Sequence, residues 1–217
     1  MGYLSIKEVD CEGKQLIIRA DLNVSIQDNT IIDDTRIIAS LPTIEWALNH
    51  GASVVLLSHL GQPKQSESAS AHGVEFDQAY SLAPVAKRLS TLLKRPVTLY
   101  QDIALRPNLK PGDVVLCENT RFHTGEKKNA PTLAKQFAAL GDIFVMDAYG
   151  AVHREHASTV GVAQYALKSC IGLLMQKELE GVERVLDSPE QPIVAIVGGA
   201  KVSSKITLLR TLIPKVN

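Results

Sequence analysis

The sequence predicts an α/β protein in which a mostly parallel β-sheet is covered by helices on both faces. Three observations lead to this fold class. The candidate strands are continuous apolar runs, as in buried parallel sheets. The segments between them have helical periodicity, and several strands end in charged residues, which is how open α/β sheets build ligand sites. The 217 residues are enough for one large domain or two small ones.

Composition fits a globular protein and excludes several functional classes. Hydrophobic residues make up 45% of the chain and charged residues 21%, which is ordinary. Lys+Arg and Asp+Glu number 23 each, so no global basic field favours nucleic acid or an anionic membrane, and any anion site must be local. Three widely spaced cysteines argue against a disulfide framework and for a reducing compartment. With no signal-peptide pattern and no apolar run of transmembrane length, we expect a cytoplasmic protein.

The first predicted strand is the apolar run at residues 16–18. Asp28 and Asn29 are typical turn residues and predict a turn before Ile31. A helical stripe then extends from Thr35 to His50.

Pro42 lies inside this stripe, where it lacks a backbone donor and crowds the preceding turn. Two alternatives stay open: Ser40 caps a helix that has Pro42 in its first turn, or the helix kinks at Pro42. Gly51 is expected to end the helix. A second strand follows at residues 54–57.

Residues 62–80 are rich in Ser, Gln, Ala and Lys and predict a long loop. Ser81 is expected to cap the next helix, which precedes a short strand at 97–99. The apolar positions of that helix are Leu82, Val85, Leu89 and Leu92. A turn at 110–113 leads into a strand at 114–117.

Pro131 is expected to start a further helix that Gly141 ends, and a strand follows at 143–146. An amphipathic helix is predicted at 175–187 and a linker at 188–192. We therefore expect a first domain at 1–187, with the helix at 175–187 between domains. Residues 193–217 are expected to be the first strand–helix unit of a second α/β domain.

The carboxyl ends of parallel strands meet at one edge of a sheet, so polar residues at the strand ends should converge there. These residues are Arg19, Asp21, Asn23, His59, Arg121, His153 and Arg154, with Arg36 joining from the start of the first helix. They form a basic cluster on a neutral protein. Because arginine binds carboxylate and phosphate with two parallel hydrogen bonds, the cluster suits a small, multiply charged anion such as a phosphorylated carboxylic acid.

A glycine-rich turn at 198–201 lies between a predicted strand and a predicted helix. It has neither the spacing of a P-loop nor that of a dinucleotide fingerprint, so phosphate binding and a plain turn both stay open. The histidines of 153–156 lack the zinc-protease spacing and a nearby third ligand, and we predict no metal site. No general base or nucleophile stands out, which fits phosphoryl transfer, a reaction that depends on positioning and charge.

Five motifs follow one another along the chain: residues 19–24 (RADLNV), 58–61 (SHLG), 118–122 (ENTRF), 150–159 (GAVHREHAST) and 198–202 (GGAKV). In this order and spacing they resemble phosphoglycerate kinase. The resemblance implies a Rossmann-like three-layer α/β/α domain that binds the phosphoglycerate. It also implies a monomer that transfers phosphoryl reversibly between 1,3-bisphosphoglycerate and ADP in glycolysis and gluconeogenesis, giving 3-phosphoglycerate and ATP. Mg-ATP or Mg-ADP is the co-substrate, and no tightly bound cofactor, nucleic acid or membrane is expected.

The resemblance also implies residue roles. Asp21 and Asn23 hold the carboxylate and hydroxyl end of the substrate. The residues implied to hold its charged groups are Arg36, His59, Arg121 and Arg154. Arg36 and Lys201 act on the transferred phosphoryl group. The residues implied to face the nucleotide phosphates are Gly198, Gly199 and Lys205.

Two features depart from the family pattern. Gln62 stands where the family usually has arginine, and the family is nearly twice as long as this chain. We therefore expect a truncated protein that supplies mainly the 3-phosphoglycerate site and is inactive alone. A non-catalytic phosphoanion-binding module is the alternative. A generic α/β nucleotide-binding domain is a third hypothesis, disfavoured because the glycine-rich turn comes so late in the chain.

Overall fold

A computed structural model of the chain describes residues 2–63 and 77–186, with the isolated positions 194, 196, 210 and 213. The chain divides into two compact units, Met1–Gln176 and Lys177–Asn217. The predicted linker at 188–192 and the glycine-rich turn lie outside the described residues, as does most of the predicted loop at 62–80.

Strands and helices alternate along the described part of the chain. The strands are β1 (Gln15–Ala20), β2 (Ile26–Gln27), β3 (Thr30–Ile31), β4 (Ser53–Leu57), β5 (Val97–Tyr100), β6 (Val114–Cys117), β7 (Ile143–Asp147) and β8 (Ser169–Ile171). The helices are α1 (Thr35–Asn49), α2 (Ala83–Leu93), α3 (Pro131–Ala139), α4 (Val162–Tyr165) and α5 (Leu173–Leu186). In these residues, none of the helices has the length and apolarity needed to cross a membrane.

Six strands form one sheet in the order β5-β6-β4-β1-β7-β8, and every neighbouring pair is parallel. The predicted α/β class with a mostly parallel sheet is therefore confirmed. The strands β4, β5 and β6, which come next in the sheet after β1, lie on one side of β1. Strands β7 and β8 lie on its other side. In open α/β sheets such a switch opens a crevice beyond the carboxyl ends of the strands.

The sheet is buried on both faces. All six residues of β1 are buried, and successive side chains point into opposite cores. Ile18 packs in a core with residues of α1 and α2, and Ile17 packs in a second core with Leu133 and Phe137 of α3. Burial on both faces explains why these strands are continuous apolar runs.

The hairpin of β2 and β3 contains the predicted turn. Asp28 and Asn29 both have positive φ, 47° and 58°, which is the backbone of a tight hairpin turn that Asn and Asp tolerate well. The first alternative for Pro42 is wrong, because α1 begins at Thr35 and continues through the proline. Ser40 does not cap this helix, and its hydroxyl donates to the Ile37 carbonyl at 2.8 Å.

The start of α2 differs from the prediction that Ser81 caps it. Leu82 occupies the cap position, and its N–H donates to Oε1 of Glu118 at 2.8 Å. The Ser81 hydroxyl lies one residue earlier, where it accepts from the Ala83 N–H at 3.2 Å and donates to Oε2 of Glu118 at 2.7 Å. The buried Glu118 carboxylate and the Ser81 hydroxyl therefore each accept one N–H group at the start of α2.

Three elements after β7 were not predicted from the sequence. They are a π-helical turn at Ala157–Gly161, the one-turn helix α4 and the three-residue edge strand β8. Helix α5 was predicted, and it begins at Leu173, two residues before the predicted start.

Candidate functional site

Four strand ends place polar side chains at the carboxyl edge of the sheet. Arg19 is in register with Leu57 of β4 and Met146 of β7, so the segments that follow these three strands are neighbours. The Thr120 N–H donates to the Ser58 carbonyl at 3.0 Å, which joins the segment after β6 to the segment after β4. Side chains from all four segments are therefore brought together.

The centre of the site is His59, which is only 4% exposed. Its Nδ1 lies 3.0 Å from Nη2 of Arg19, and its Nε2 lies 3.3 Å from Nη1 of Arg154. Burial, together with the charges of Arg19, Arg121 and Arg154, lowers the pKa of His59 to about 2. The imidazole is therefore neutral at physiological pH.

Arg19 is buried in the sheet, and a buried acid compensates its charge. Its Nε donates to the Ser158 hydroxyl at 3.0 Å, and that hydroxyl donates to Oε1 of Glu126 at 2.5 Å. The other Glu126 oxygen accepts the Ser158 N–H at 3.0 Å. Burial lowers the pKa of Arg19 and raises that of Glu126, and each charge opposes the shift of the other. Neither Glu126 nor Ser158 was assigned a role from the sequence, although Ser158 lies in a motif.

Asn119 holds the turn that carries His59. Its Oδ1 accepts from the N–H groups of Leu60 and Arg121, both at 3.1 Å, and its Nδ2 donates to the Leu60 carbonyl at 2.8 Å and the Tyr80 carbonyl at 3.0 Å. This buried amide fixes the position of Arg121 relative to the turn. In the sequence, the one signal of this role was the position of Asn119 inside a motif.

Arg121 is buried, and its Nη1 donates to the Gly61 carbonyl. Its Nε is also buried and has no hydrogen-bond partner in the described part of the chain. Burial and the charge of Arg154 lower the pKa of the Arg121 guanidinium. Gly61 has a φ of +54°, and a Cβ there would lie 2.5 Å from the Tyr80 ring, so this position requires glycine.

Asp21, Asn23 and Arg36 lie beside the cluster. Oδ2 of Asp21 pairs with Nη1 of Arg36 at 2.9 Å, and the Arg36 side chain is 53% exposed. Oδ1 of Asp21 accepts the Asn23 N–H at 3.3 Å. Oδ1 of Asn23 accepts the Gly61 N–H at 2.8 Å, which ties this segment to the turn beside Arg121.

Two further histidines lie in the same motif as Arg154. His153 is exposed. His156 is partly buried, with Nδ1 3.8 Å from Oε1 of Glu126. Burial and the charges of Arg121, Arg154 and Arg19 lower its pKa to about 4, which shows how positive this region is.

The arrangement is suited to anions. Three guanidinium groups, from Arg19, Arg121 and Arg154, surround a neutral histidine, and the buried Glu126 carboxylate offsets part of the charge of Arg19 and Arg121. Among the described residues, no three His, Cys, Asp or Glu side chains group in a way that could hold a metal ion. Gln62 is exposed next to Gly61. The other predicted site residues, Gly198, Gly199, Lys201 and Lys205, lie outside the described part of the chain.

Comparison with known proteins identifies the family. The family model for phosphoglycerate kinase matches residues 6–217. The chain is 50% identical over 217 residues to the phosphoglycerate kinase of Desulfovibrio desulfuricans, covering 100% of this chain and 54% of the relative. It is 48% identical to that of Legionella pneumophila, again over the whole chain and 53% of the relative.

Solved structures agree with these matches. The phosphoglycerate kinase of Coxiella burnetii superposes with a TM-score of 0.89 at 45% identity, over 99% of this chain and 53% of that one. The enzyme of Pyrococcus horikoshii superposes with a TM-score of 0.81 at 30% identity, over 97% of this chain and 52% of that one. The chain thus spans about half the length of the relatives it matches. The five motifs, the parallel sheet and these comparisons agree: the chain belongs to the phosphoglycerate kinase family.

Proposed function

We propose that this chain carries the phosphoglycerate-binding site of a phosphoglycerate kinase. Such an enzyme transfers phosphoryl reversibly between 1,3-bisphosphoglycerate and ADP, giving 3-phosphoglycerate and ATP, in glycolysis and gluconeogenesis. The observation that carries the proposal is the cluster of three guanidinium groups around neutral His59 at the carboxyl edge of the sheet. 3-Phosphoglycerate offers a phosphate and a carboxylate, both of which arginine binds well.

The residues of the first unit take complementary roles toward this ligand. Arg121 and Arg154 supply charged donors for its anionic groups. The buried, unpaired Nε of Arg121 supports this role, because a buried donor without an acceptor is costly. Asp21 and Asn23 supply polar groups for the carboxylate and hydroxyl end of the substrate.

Arg36 is proposed to serve both binding and catalysis. It is the most exposed arginine of the site and is held by a single carboxylate, Asp21. An exposed ion pair contributes little free energy, so the side chain can turn toward a phosphoryl group at small cost. Phosphoryl transfer needs charge at the transferred group more than a general base, and Arg36 would provide it.

The nucleotide side of the reaction rests on the motif resemblance alone. Lys201 is proposed to stabilise the transferred phosphoryl group. Gly198, Gly199 and Lys205 are proposed to contact the phosphates of Mg-ATP or Mg-ADP, where backbone donors at a helix start would face them. We assign no magnesium ligand to the described residues, since no suitable group of side chains occurs there.

We also propose the domain organisation expected from the sequence: a first domain at 1–187, a linker at 188–192 and the start of a nucleotide-binding domain from 193. The boundary between the two compact units falls inside α5, which supports a helix that links domains. A cytoplasmic monomer completes the proposal. Three free, buried cysteines support a reducing compartment.

A ligand panel tests this function against a general phosphoanion-binding module. Chemical-shift changes in the ¹⁵N-labelled chain would be followed with 3-phosphoglycerate, glycerate and inorganic phosphate. We expect 3-phosphoglycerate to bind at least tenfold more tightly than the other two, because it engages both groups of donors at once. Equal affinity for phosphate and 3-phosphoglycerate would favour the general module.

Alanine variants locate the site. Arg36→Ala, Arg121→Ala and Arg154→Ala should each weaken 3-phosphoglycerate binding by about 10- to 150-fold, since a hydrogen bond to a charged group contributes about 1.5–3 kcal/mol. Arg106→Ala is the matched control. Arg106 pairs with Asp142 at 2.9 Å, next to the start of β7 and thus at the opposite edge of the sheet. Affinity that stays unchanged in all three site variants would contradict the proposal.

A further inference from the structure

His59 lies between two groups that can only donate hydrogen bonds. Nη2 of Arg19 is 3.0 Å from its Nδ1, and Nη1 of Arg154 is 3.3 Å from its Nε2. A neutral imidazole has one acceptor nitrogen and one N–H, while a guanidinium has five donors and no acceptor. Only one of the two contacts can therefore be a hydrogen bond. A protonated ring could make neither.

The contact with Arg19 is the fixed one. Arg19 is 1% exposed, and each of its nitrogens is committed: Nε to the Ser158 hydroxyl at 3.0 Å, Nη1 to the Ala20 carbonyl at 2.5 Å, and Nη2 to His59. The Ser158 hydroxyl is in turn held by the buried Glu126 carboxylate. The Arg154 side chain is partly exposed and makes the longer contact, so it is the group that can move.

We propose that Arg19 is a positioning residue that holds His59 as a neutral imidazole with its proton on Nε2. Nδ1 accepts from the buried guanidinium, so the ring presents an N–H to the open side of the site. The chain from Glu126 through Ser158 to Arg19 fixes this tautomer from within the sheet. Arg19 does not need to touch the ligand to act in this way.

Four titratable groups act on the charge of His59. They are Arg19 from β1, Arg121 from the segment after β6, and Arg154 and His156 from the segment after β7. All four disfavour a positive charge on the ring, and the three guanidiniums can only donate.

The tautomer has a consequence for binding. Nε2–H of His59 and Nη1 of Arg154 are two donors 3.3 Å apart, and a single anionic oxygen between them would satisfy both. His59 would then donate as a neutral group, and an anion would bind without proton uptake by this ring. That consequence rests on the proposed function, whereas the tautomer is a property of the ligand-free chain.

The test is the ring ¹⁵N spectrum of the ligand-free chain labelled at histidine, with the His59 signals assigned by their loss in His59→Gln. We expect an unprotonated Nδ1 and a protonated Nε2, with no titration between about pH 5.5 and 8. A protonated Nδ1, or a titration midpoint inside that range, would overturn the proposal.

Variants then test whether Arg19 is the cause. Arg19→Met combined with Glu126→Gln removes both buried charges together and so leaves neither unpaired. In this pair variant we expect His59 to titrate at higher pH and to lose the fixed tautomer, while Arg154→Ala keeps it. If the pair variant folds and retains an unprotonated Nδ1 throughout, Arg19 is not the cause. If it does not fold, the spectrum of the unmodified chain still decides whether the tautomer exists.

The two proposals fail separately. The expected tautomer in a chain that does not bind 3-phosphoglycerate would contradict the proposed function and leave the role of Arg19 intact. Tight binding of 3-phosphoglycerate by a chain in which Nδ1 of His59 is protonated would contradict the role of Arg19 and leave the proposed function intact.

Discussion

We expect acid to destabilise this protein through histidines that are held neutral in the fold, and His59 allows a quantitative prediction. Its pKa is lowered from 6.5 to about 2 by burial and by the surrounding arginines. A group whose folded-state pKa is depressed contributes stability that is present above its unfolded pKa and is lost as the pH falls. For His59 this window extends from about pH 6.5 down to about pH 2.

The magnitude follows from the width of the window. Each pH unit below 6.5 costs about 1.4 kcal/mol, because the unfolded chain binds a proton that the folded chain does not. Between about pH 7 and pH 4.5 this amounts to about 3 kcal/mol from His59 alone. His123 and His156, whose pKa values are lowered to about 4, act in the same direction, and Asp147, whose pKa is raised to about 6, acts in the opposite one.

The assay is urea unfolding of the unmodified chain and of His59→Gln at both pH values. The loss of unfolding free energy between the two pH values is compared in the two proteins. This comparison separates the contribution of His59 from those of the other titrating groups. We expect the unmodified chain to lose about 3 kcal/mol more unfolding free energy than the variant on acidification. His153→Gln is the matched control, because solvent surrounds that exposed side chain in both states. Equal losses in the unmodified chain and His59→Gln would refute the reasoning.

Three further predictions concern the scaffold. Glu118→Ala should lower the unfolding free energy by about 3 kcal/mol in chemical denaturation, since its buried carboxylate accepts from the Ser81 hydroxyl and the Leu82 N–H directly before α2; a loss below about 1 kcal/mol would contradict this role. Gly172→Ala should cost about 1–3 kcal/mol, because its Cβ would lie 2.2 Å from Oδ1 of the buried Asp147; unchanged stability would show that the site can relax. Burial raises the pKa of the Cys117 and Cys170 thiols to about 12, so a thiol reagent should modify both only at the rate of unfolding. Rapid labelling of the native chain would exclude that protection.

The sheet and the location of the site could be predicted because local sequence determines them. Parallel strands buried on both faces must be continuous apolar runs, and β1, β4, β6 and β7 all have that pattern. Once the strands are parallel, Arg19, His59 and Arg121 have to meet at their carboxyl ends. The grouping of these basic residues therefore follows from their positions in the sequence, at or just after the ends of parallel strands.

The interior of the site could not be predicted in the same way. Glu126 and Ser158 act through hydrogen bonds that span 32 residues, and Ser158 reaches Arg19 across 139 residues. The carboxylate of Glu118 accepts from the N–H of Leu82, which lies 36 residues earlier in the sequence and directly before α2. Periodicity reports which face of an element is buried, but it contains no information on which distant partner satisfies a buried polar group.

The basic cluster in the first unit is proposed to bind 3-phosphoglycerate, and calorimetric titration with this ligand measures that binding itself. The unmodified chain, Arg121→Ala and Arg106→Ala would be compared after circular dichroism has established that each is folded. We expect binding to the unmodified chain and to Arg106→Ala, with affinity lost in Arg121→Ala. A folded chain that shows no binding, or Arg121→Ala that binds as tightly as the unmodified chain, would contradict it.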